Sequence, residues 1–292
     1  MKKGLMVFGL GMMSAGVLAA VTVEKIELKP GDETAKKAYF AQKIRFWGTN
    51  EYKASPEHYN TLLTLTNAKI QFAFRLEGKM VDGKPRKVAV GMFRPSIYNW
   101  YSGGFIEVIA NKQNLTDGEF ELAEFKGGAE SGYALLRYTG PEVSGTLRLE
   151  LADNDDKLQV KFTPSPAKSL RGYQLVLTSY PGAYGEKEKR KREIQTNTGT
   201  AENGKKELTK SDCWAVFYDS YYDRKENRGD GCCAFLFNPK EIVSGTLRAG
   251  YGCIAYLNYP PHQEANLILW DFKKWSAEDA IAYMKKLSVQ FE

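Results

Sequence analysis

The residues able to do acid–base chemistry are few. The chain holds two histidines, His58 and His262. His58 sits in Ser55-Pro56-Glu57-His58-Tyr59, and His262 follows Pro260-Pro261; both contexts read as loops. Asp219 and Asp223 lie close together among Trp214, Tyr218, Tyr221, Tyr222 and Arg224. Two carboxylates beside aromatic walls are the equipment of glycoside hydrolysis, provided that the fold sets them at the right separation. The candidate catalytic set is therefore Asp219, Asp223 and His262, with Glu107 as a further acid. GxSxG, HExxH, a phosphate-binding glycine loop and a dinucleotide fingerprint are all missing from the sequence.

Binding chemistry is better represented. Tyr98-Asn99-Trp100-Tyr101-Ser102-Gly103-Gly104 joins two expected strands. Aromatic rings stack on the CH faces of sugars, and asparagine or serine side chains bond their hydroxyls. Asn99, Trp100 and Tyr101 form one candidate ligand site, extended by Trp214 and Tyr221. The alternative is that the loop aromatics fold back into the core. Asp153-Asn154-Asp155-Asp156 has calcium-type oxygens, but it lacks the glycine and distant glutamate of an EF-hand. It reads as a hairpin turn, and no metal or other cofactor is expected.

Cysteine use leaves two states open. Cys213, Cys232, Cys233 and Cys253 allow three pairings. Cys232 and Cys233 are neighbours and point to opposite faces of a strand, so one of them pairs with Cys213 or Cys253, or all four stay as buried thiols. Their spacing matches no zinc pattern.

The elements that must position these groups are mostly strands. Ile70, Phe72, Phe74 and Leu76 alternate with polar or small residues, as do Leu147-Leu149-Leu151 and Leu158-Val160-Phe162. The last two runs flank the Asp153–Asp156 turn and predict a β-hairpin with its leucines, valine and phenylalanine inward. Further strands are expected at Val21–Leu28, Lys43–Trp47, Thr61–Leu65, Lys87–Phe93, Phe105–Ala110, Glu119–Phe125, Tyr133–Tyr138 and Tyr173–Ser179. Others are Cys213–Tyr218, Cys232–Phe237, Thr246–Leu257 and Ala265–Asp271. Pro181–Lys210 reads as a protruding polar hairpin. Ser276, as N-cap, opens a helix over 276–288, and a short helix is expected within Asp32–Ala41. VSGTLR occurs twice, at Val143–Arg148 and Val243–Arg248. These elements make one large two-sheet antiparallel β-sandwich, residues 21–292, with a C-terminal helix.

Residues 1–20 read as a secretory signal peptide: Lys2 and Lys3, an uncharged run from Gly4 to Leu18, then Ala19-Ala20. The expected location is the periplasm or outside the cell, with no stable membrane span after cleavage. Losing Lys2 and Lys3 takes two positive charges from a net +6 and leaves +4, too mild for nucleic-acid binding. The run Glu186–Glu193, with five Lys or Arg, reads as a solvated loop.

Strand number, size and aromatic richness across 21–275 resemble the galactose-mutarotase-like supersandwich, a fold of carbohydrate-active proteins. That family's enzymes surround the sugar with a histidine pair and a glutamate. The two histidines here stand in other contexts, so the resemblance implies a non-catalytic relative. Three function classes follow: an exported carbohydrate-binding accessory protein as the leading one, a glycan-active epimerase, hydrolase or lyase, and a structural protein of the cell envelope. The expected partner is a glycan; the oligomeric state is open.

Overall fold

A computed structural model describes residues 20–41, 55–96, 99–101, 103–182, 190–221, 231–273 and 275–287. Residues 1–19, which fall in the expected signal peptide, and the expected strand Lys43–Trp47 lie outside them. The chain begins with β1 (Thr22–Glu27), α1 (Glu33–Ala41), β2 (His58–Thr66), β3 (Gln71–Val81), β4 (Lys84–Arg94), β5 (Ile106–Ala110) and β6 (Gln113–Asn114). It continues through β7 (Glu119–Lys126), β8 (Ser131–Thr139), β9 (Ser144–Ala152), β10 (Lys157–Pro164) and β11 (Tyr173–Ser179). The last part holds β12 (Arg192–Thr196), β13 (Gly199–Thr200), β14 (Lys205–Glu207), β15 (Trp214–Asp219) and β16 (Cys233–Phe237). β17 (Ser244–Ala249), β18 (Cys253–Tyr259), β19 (Ala265–Asp271) and α2 (Ala277–Lys286) complete it.

All pairings are antiparallel. One layer runs β1–β2–β3–β4–β5–β11–β18–β17–β14 in space. The other runs β7–β8–β9–β10–β19–β16–β15–β12. Strand β4 belongs to both, since Arg86 pairs with Glu119 of β7. A bridge from Val21 to Gly128 brings the β1 edge against the β7–β8 turn, so the sheet is nearly closed.

Alternation decides which side chains enter the space between the layers. The β9–β10 hairpin pairs Leu149 with Val160 and Leu147 with Phe162, all buried, and leaves Arg148, Glu150, Gln159 and Lys161 outward. Slipping by one residue would drive those polar groups into the core, which fixes the register. Trp100 crosses the core, with ring contacts to Phe105 and Phe217 at 6.4 Å each.

Strands β15 and β16 depart from alternation. Their runs WAVFYD and CAFLF are buried on both faces. The outer face is covered by α2, where Ala280 and Met284 pack on Trp214, Val216, Cys232, Ala234 and Leu236. Continuous apolar runs are what a doubly covered strand requires. Helix α2 starts at Ser276, whose Oγ accepts from the Asp279 N–H at 3.1 Å. Helix α1 starts similarly, with Asp32 Oδ1 accepting from Ala35 N at 2.8 Å. No helix among the described residues is long and apolar enough to cross a membrane.

Three expectations change. Thr246–Leu257 is two strands, β17 and β18: the chain reverses at Gly250–Gly252, closed by a Gly250 N–H bond to Gly252 O at 2.9 Å, and Gly252 packs too close to Ser179 O and the Tyr180 ring to carry a side chain. Within the expected hairpin Pro181–Lys210, the described residues 190–210 do not protrude: β12 and β14 extend the two layers by pairing with β15 and β17. The charged run does not end as a solvated loop, since Arg192 is buried and its Nε donates to Pro181 O at 3.0 Å.

The repeated VSGTLR enters a strand in both places, β9 and β17. At each, the glycine lies beneath a core side chain: Phe162 over Gly145, Leu208 over Gly245. A methyl at residue 145 would collide with the buried Phe162 ring. Gly145→Ala is expected to destabilise the fold by about 1–3 kcal/mol through overpacking, read as a lower midpoint in chemical denaturation.

All four cysteines are free thiols. Cys232 lies in the cluster under α2, while Cys233 lies in the main core, on opposite faces of the same strand. The sulfur atoms face separate oxygens: Cys213 Sγ lies near Asn197 Oδ1, Cys232 Sγ near Ser276 O, Cys233 Sγ near Asn99 O and Cys253 Sγ near Glu193 O. Burial pushes every thiol up, Cys232 to about 12. In the folded protein at pH 8, a thiol reagent is expected to label only the half-buried Cys213; denaturation should release the other three. The neutral thiols stabilise the fold most fully below the unfolded value of about 8.5. That contribution should shrink as pH rises from there towards about 12, where Cys232 ionises in the folded protein as well.

Candidate functional site

The sequence candidates separate in space. Trp100 is fully buried, and its Nε1 donates to Trp270 O at 3.1 Å. Its ring has no free face for a sugar, because the loop turns it into the aromatic core instead. Asn99 is also buried. Its Nδ2 donates to Asp271 Oδ1 at 2.7 Å and to Cys232 O at 3.3 Å. Trp214 is buried beneath α2. These three are therefore structural, contrary to the ligand-binding role expected of them. Tyr98, Ser102, Tyr222, Asp223 and Arg224 lie outside the described residues.

Tyr101 remains accessible in part. Its ring meets Tyr180 edge-on at 4.9 Å, and Tyr180 meets the exposed Tyr251 at 5.3 Å. The Arg190 guanidinium lies over Tyr251 at 4.9 Å, and that of Arg192 over Tyr180 at 5.3 Å. Tyr180 and Tyr251 thus each have a ring face partly occupied by a cation of the same chain.

The catalytic candidates do not converge. Asp219 is buried at the end of β15, where Oδ1 accepts from the N–H groups of Lys191 and Tyr221, both at 3.1 Å. Those bonds shape the turn at Tyr221. His262 is exposed in the β18–β19 turn, with φ of +67°. The pairing Phe217–Cys233–Asp271 puts Asp219 at the end of β19 opposite that turn, about 20 Å away by strand rise. Glu107 stands on β5, its carboxyl raised first by burial and then by the Asp117 charge, against a bond from Asn114. His58 begins β2, with Nδ1 2.7 Å from Ser55 Oγ. The Asp153–Asp156 segment is a turn, with Asn154 at φ of +55° and Asp155 paired to Lys157 at 2.7 Å. No group of three or more metal-ligating side chains gathers among the described residues.

A cleft of about 680 Å³ opens where β19 ends. Trp270, Phe272 and Trp275 form its aromatic wall, and Lys69, Lys273 and Asp156 stand on its rim. The rings of Phe272 and Trp275 stack at 4.9 Å, and Tyr283 of α2 meets Trp275 edge-on at 5.7 Å. Trp275 is 39% exposed, so it is held in orientation while presenting ring surface to solvent. Trp270 is buried, and its Nε1 has no acceptor among the described residues.

The cleft is set by a buried carboxylate. Asp271 Oδ2 accepts from Ser96 N at 3.1 Å, and Oδ1 accepts from Asn99 Nδ2 and from Lys273 N at 3.0 Å. These bonds tie the segment before Trp100 to the end of β19 and turn the chain from Phe272 towards Trp275. Sequence reasoning missed this site. Its signal was the pair of tryptophans in Trp270-Asp271-Phe272-Lys273-Lys274-Trp275, between the last strand and the helix cap.

No family model matches the chain, and no curated protein does. Among solved structures, one of chondroitinase AC lyase with oligosaccharide is similar at a TM-score of 0.39 and 10% identity, covering 88% of this chain and 42% of that one. A Paenibacillus xanthan lyase is similar at a TM-score of 0.40 and 6% identity, covering 86% of this chain and 28% of that one. This chain thus spans less than half the length of either structure, and both neighbours are polysaccharide lyases.

Proposed function

We propose that the protein is an exported carbohydrate-binding protein whose ligand seats in the Trp270–Trp275 cleft. The single observation that carries this reading is the Phe272–Trp275 stack, a pre-oriented aromatic wall with open ring surface facing a cavity of about 680 Å³. A rigid ring offers a sugar CH face a large contact at little entropic cost. Polar groups stand beside the wall: the ammonium groups of Lys69 and Lys273 and the Asp156 carboxylate. Export rests on the charged, apolar and small-residue pattern of residues 1–20. A galactose-mutarotase-like ancestry is part of the same proposal, supported by the two-layer antiparallel architecture.

The enzyme reading has less support, because Asp219 and His262 lie at opposite ends of the sandwich and Asp219 is buried, with Oδ1 holding two backbone N–H groups.

The test is a glycan panel probed by calorimetry with the full chain, with product assayed in the same mixtures. Binding without product is expected. Trp275→Ala should weaken it about tenfold or more, the scale of a central aromatic contact, while Tyr251→Ala should leave it unchanged. Loss in the Tyr251 variant alone would move the site to the Tyr101–Tyr180–Tyr251 cluster. Turnover that falls in Asp219→Asn would make the protein an enzyme.

A further inference from the structure

The cleft does not end at Trp270. Alternate residues of β19 face outward, so Asn266, Ile268 and Trp270 form a line leading away from Phe272. Beside that line lies a second depression of about 520 Å³, floored by the outward residues of β9 and β10. Register places these in two rows across the sheet. Tyr133, Glu150, Gln159 and Ile268 make one row; Arg148, Lys161 and Asn266 make the next. Beyond Ile268 the first row turns apolar, through Leu236 to Trp214, and α2 covers it. The polar half stays open. On the other side of Trp275 is a third hollow of about 450 Å³ against Tyr283 and Lys286. From Asn266 to Phe272 alone the line runs about 20 Å at the rise of a strand, the length of several pyranose rings.

On the β9–β10–β19 face the charges cancel locally, while the cleft end carries Lys69, Lys273 and Asp156. Arg148 Nε bonds Glu150 at 2.8 Å and its guanidinium lies 3.6 Å from the centre of the Tyr133 ring. Lys161 pairs with Glu264 at 2.6 Å, and Lys157 with Asp155 at 2.7 Å. Gln159 and Asn266, exposed and uncharged, stand between these pairs. On that face an anionic polymer would have to separate ion pairs already made. Side-by-side carboxylates, guanidinium and amides match adjacent hydroxyl groups, which both donate and accept.

Resting on the reading of the cleft as a glycan site, we infer that the cleft and the polar face of β9, β10 and β19 form one groove for an uncharged polysaccharide chain, stacked at Trp275 and hydrogen-bonded at Gln159 and Asn266. The discriminating features are chain length and salt. The full chain would be titrated with glucose, mannose and xylose oligomers from dimer to hexamer, with galacturonate oligomers as the acidic comparison. In one neutral series the hexamer should bind about tenfold tighter than the dimer or better. Its affinity should change less than about twofold between 0.05 and 0.5 M NaCl, since no charge on the ligand is screened. Gln159→Ala with Asn266→Ala should erase the gain with length and keep both dimer affinity and the melting temperature. Trp275-dependent binding that is flat with length, or that favours galacturonate and collapses with salt, would overturn the groove and spare the cleft. Failure of every series to bind would overturn both.

Discussion

The buried Asp271 carboxylate is the constraint on which the candidate site depends. A charge taken out of water is tolerated only when hydrogen-bonded, and here donors come from Ser96, Asn99 and Lys273. Those donors belong to two chain segments far apart in sequence. Meeting at one carboxylate fixes the segment before Trp100 on the end of β19. Trp100 then follows into the core, bonded to the carbonyl of Trp270. The same fixation turns the chain after Phe272 so that Trp275 stacks back on it, immediately ahead of the Ser276 cap.

The helix that follows has two effects on the outer sheet face. It buries Trp214, Ala234 and Leu236, which makes the doubly apolar strands β15 and β16 compatible with water. It also stops short of β9 and β10, whose outward side chains are arginine, glutamate, glutamine and lysine. One sheet face is thereby divided into a covered apolar half and an open polar half, with the aromatic cleft at their junction. A second hub works similarly on the turn side: Asn67 donates to Ala152 O and Asp155 O, both at 2.8 Å, and accepts from the N–H groups of Lys69 and Ile70. It brings the Asp153–Asp156 turn and Lys69 to the rim of the cleft.

Much of the fold was legible in the chain because alternation is a local signal. β11 and β19 start and end where their apolar periods do, and the leucine, valine and phenylalanine positions of the β9–β10 hairpin point inward as the pattern requires. The serine cap of α2 was equally readable. The sequence alone determined a β-rich, antiparallel architecture, the inward face of most strands and the terminal helix, since each follows from the backbone periods of 2 and 3.6 residues.

Only the tertiary structure decided which aromatic rings are available. Trp100 and Trp275 both sit in polar neighbourhoods along the chain, yet one is sealed in the core and the other is open. The difference comes from partners that sequence does not place: Phe105, Phe217 and a carbonyl of β19 around Trp100, Phe272 and Tyr283 beside Trp275. Likewise Asp219 and His262 share the last third of the chain and stand at opposite ends of the sandwich, because antiparallel strands carry near neighbours in sequence a full strand length apart. Burial and convergence are sums over long-range contacts, and no local pattern encodes them.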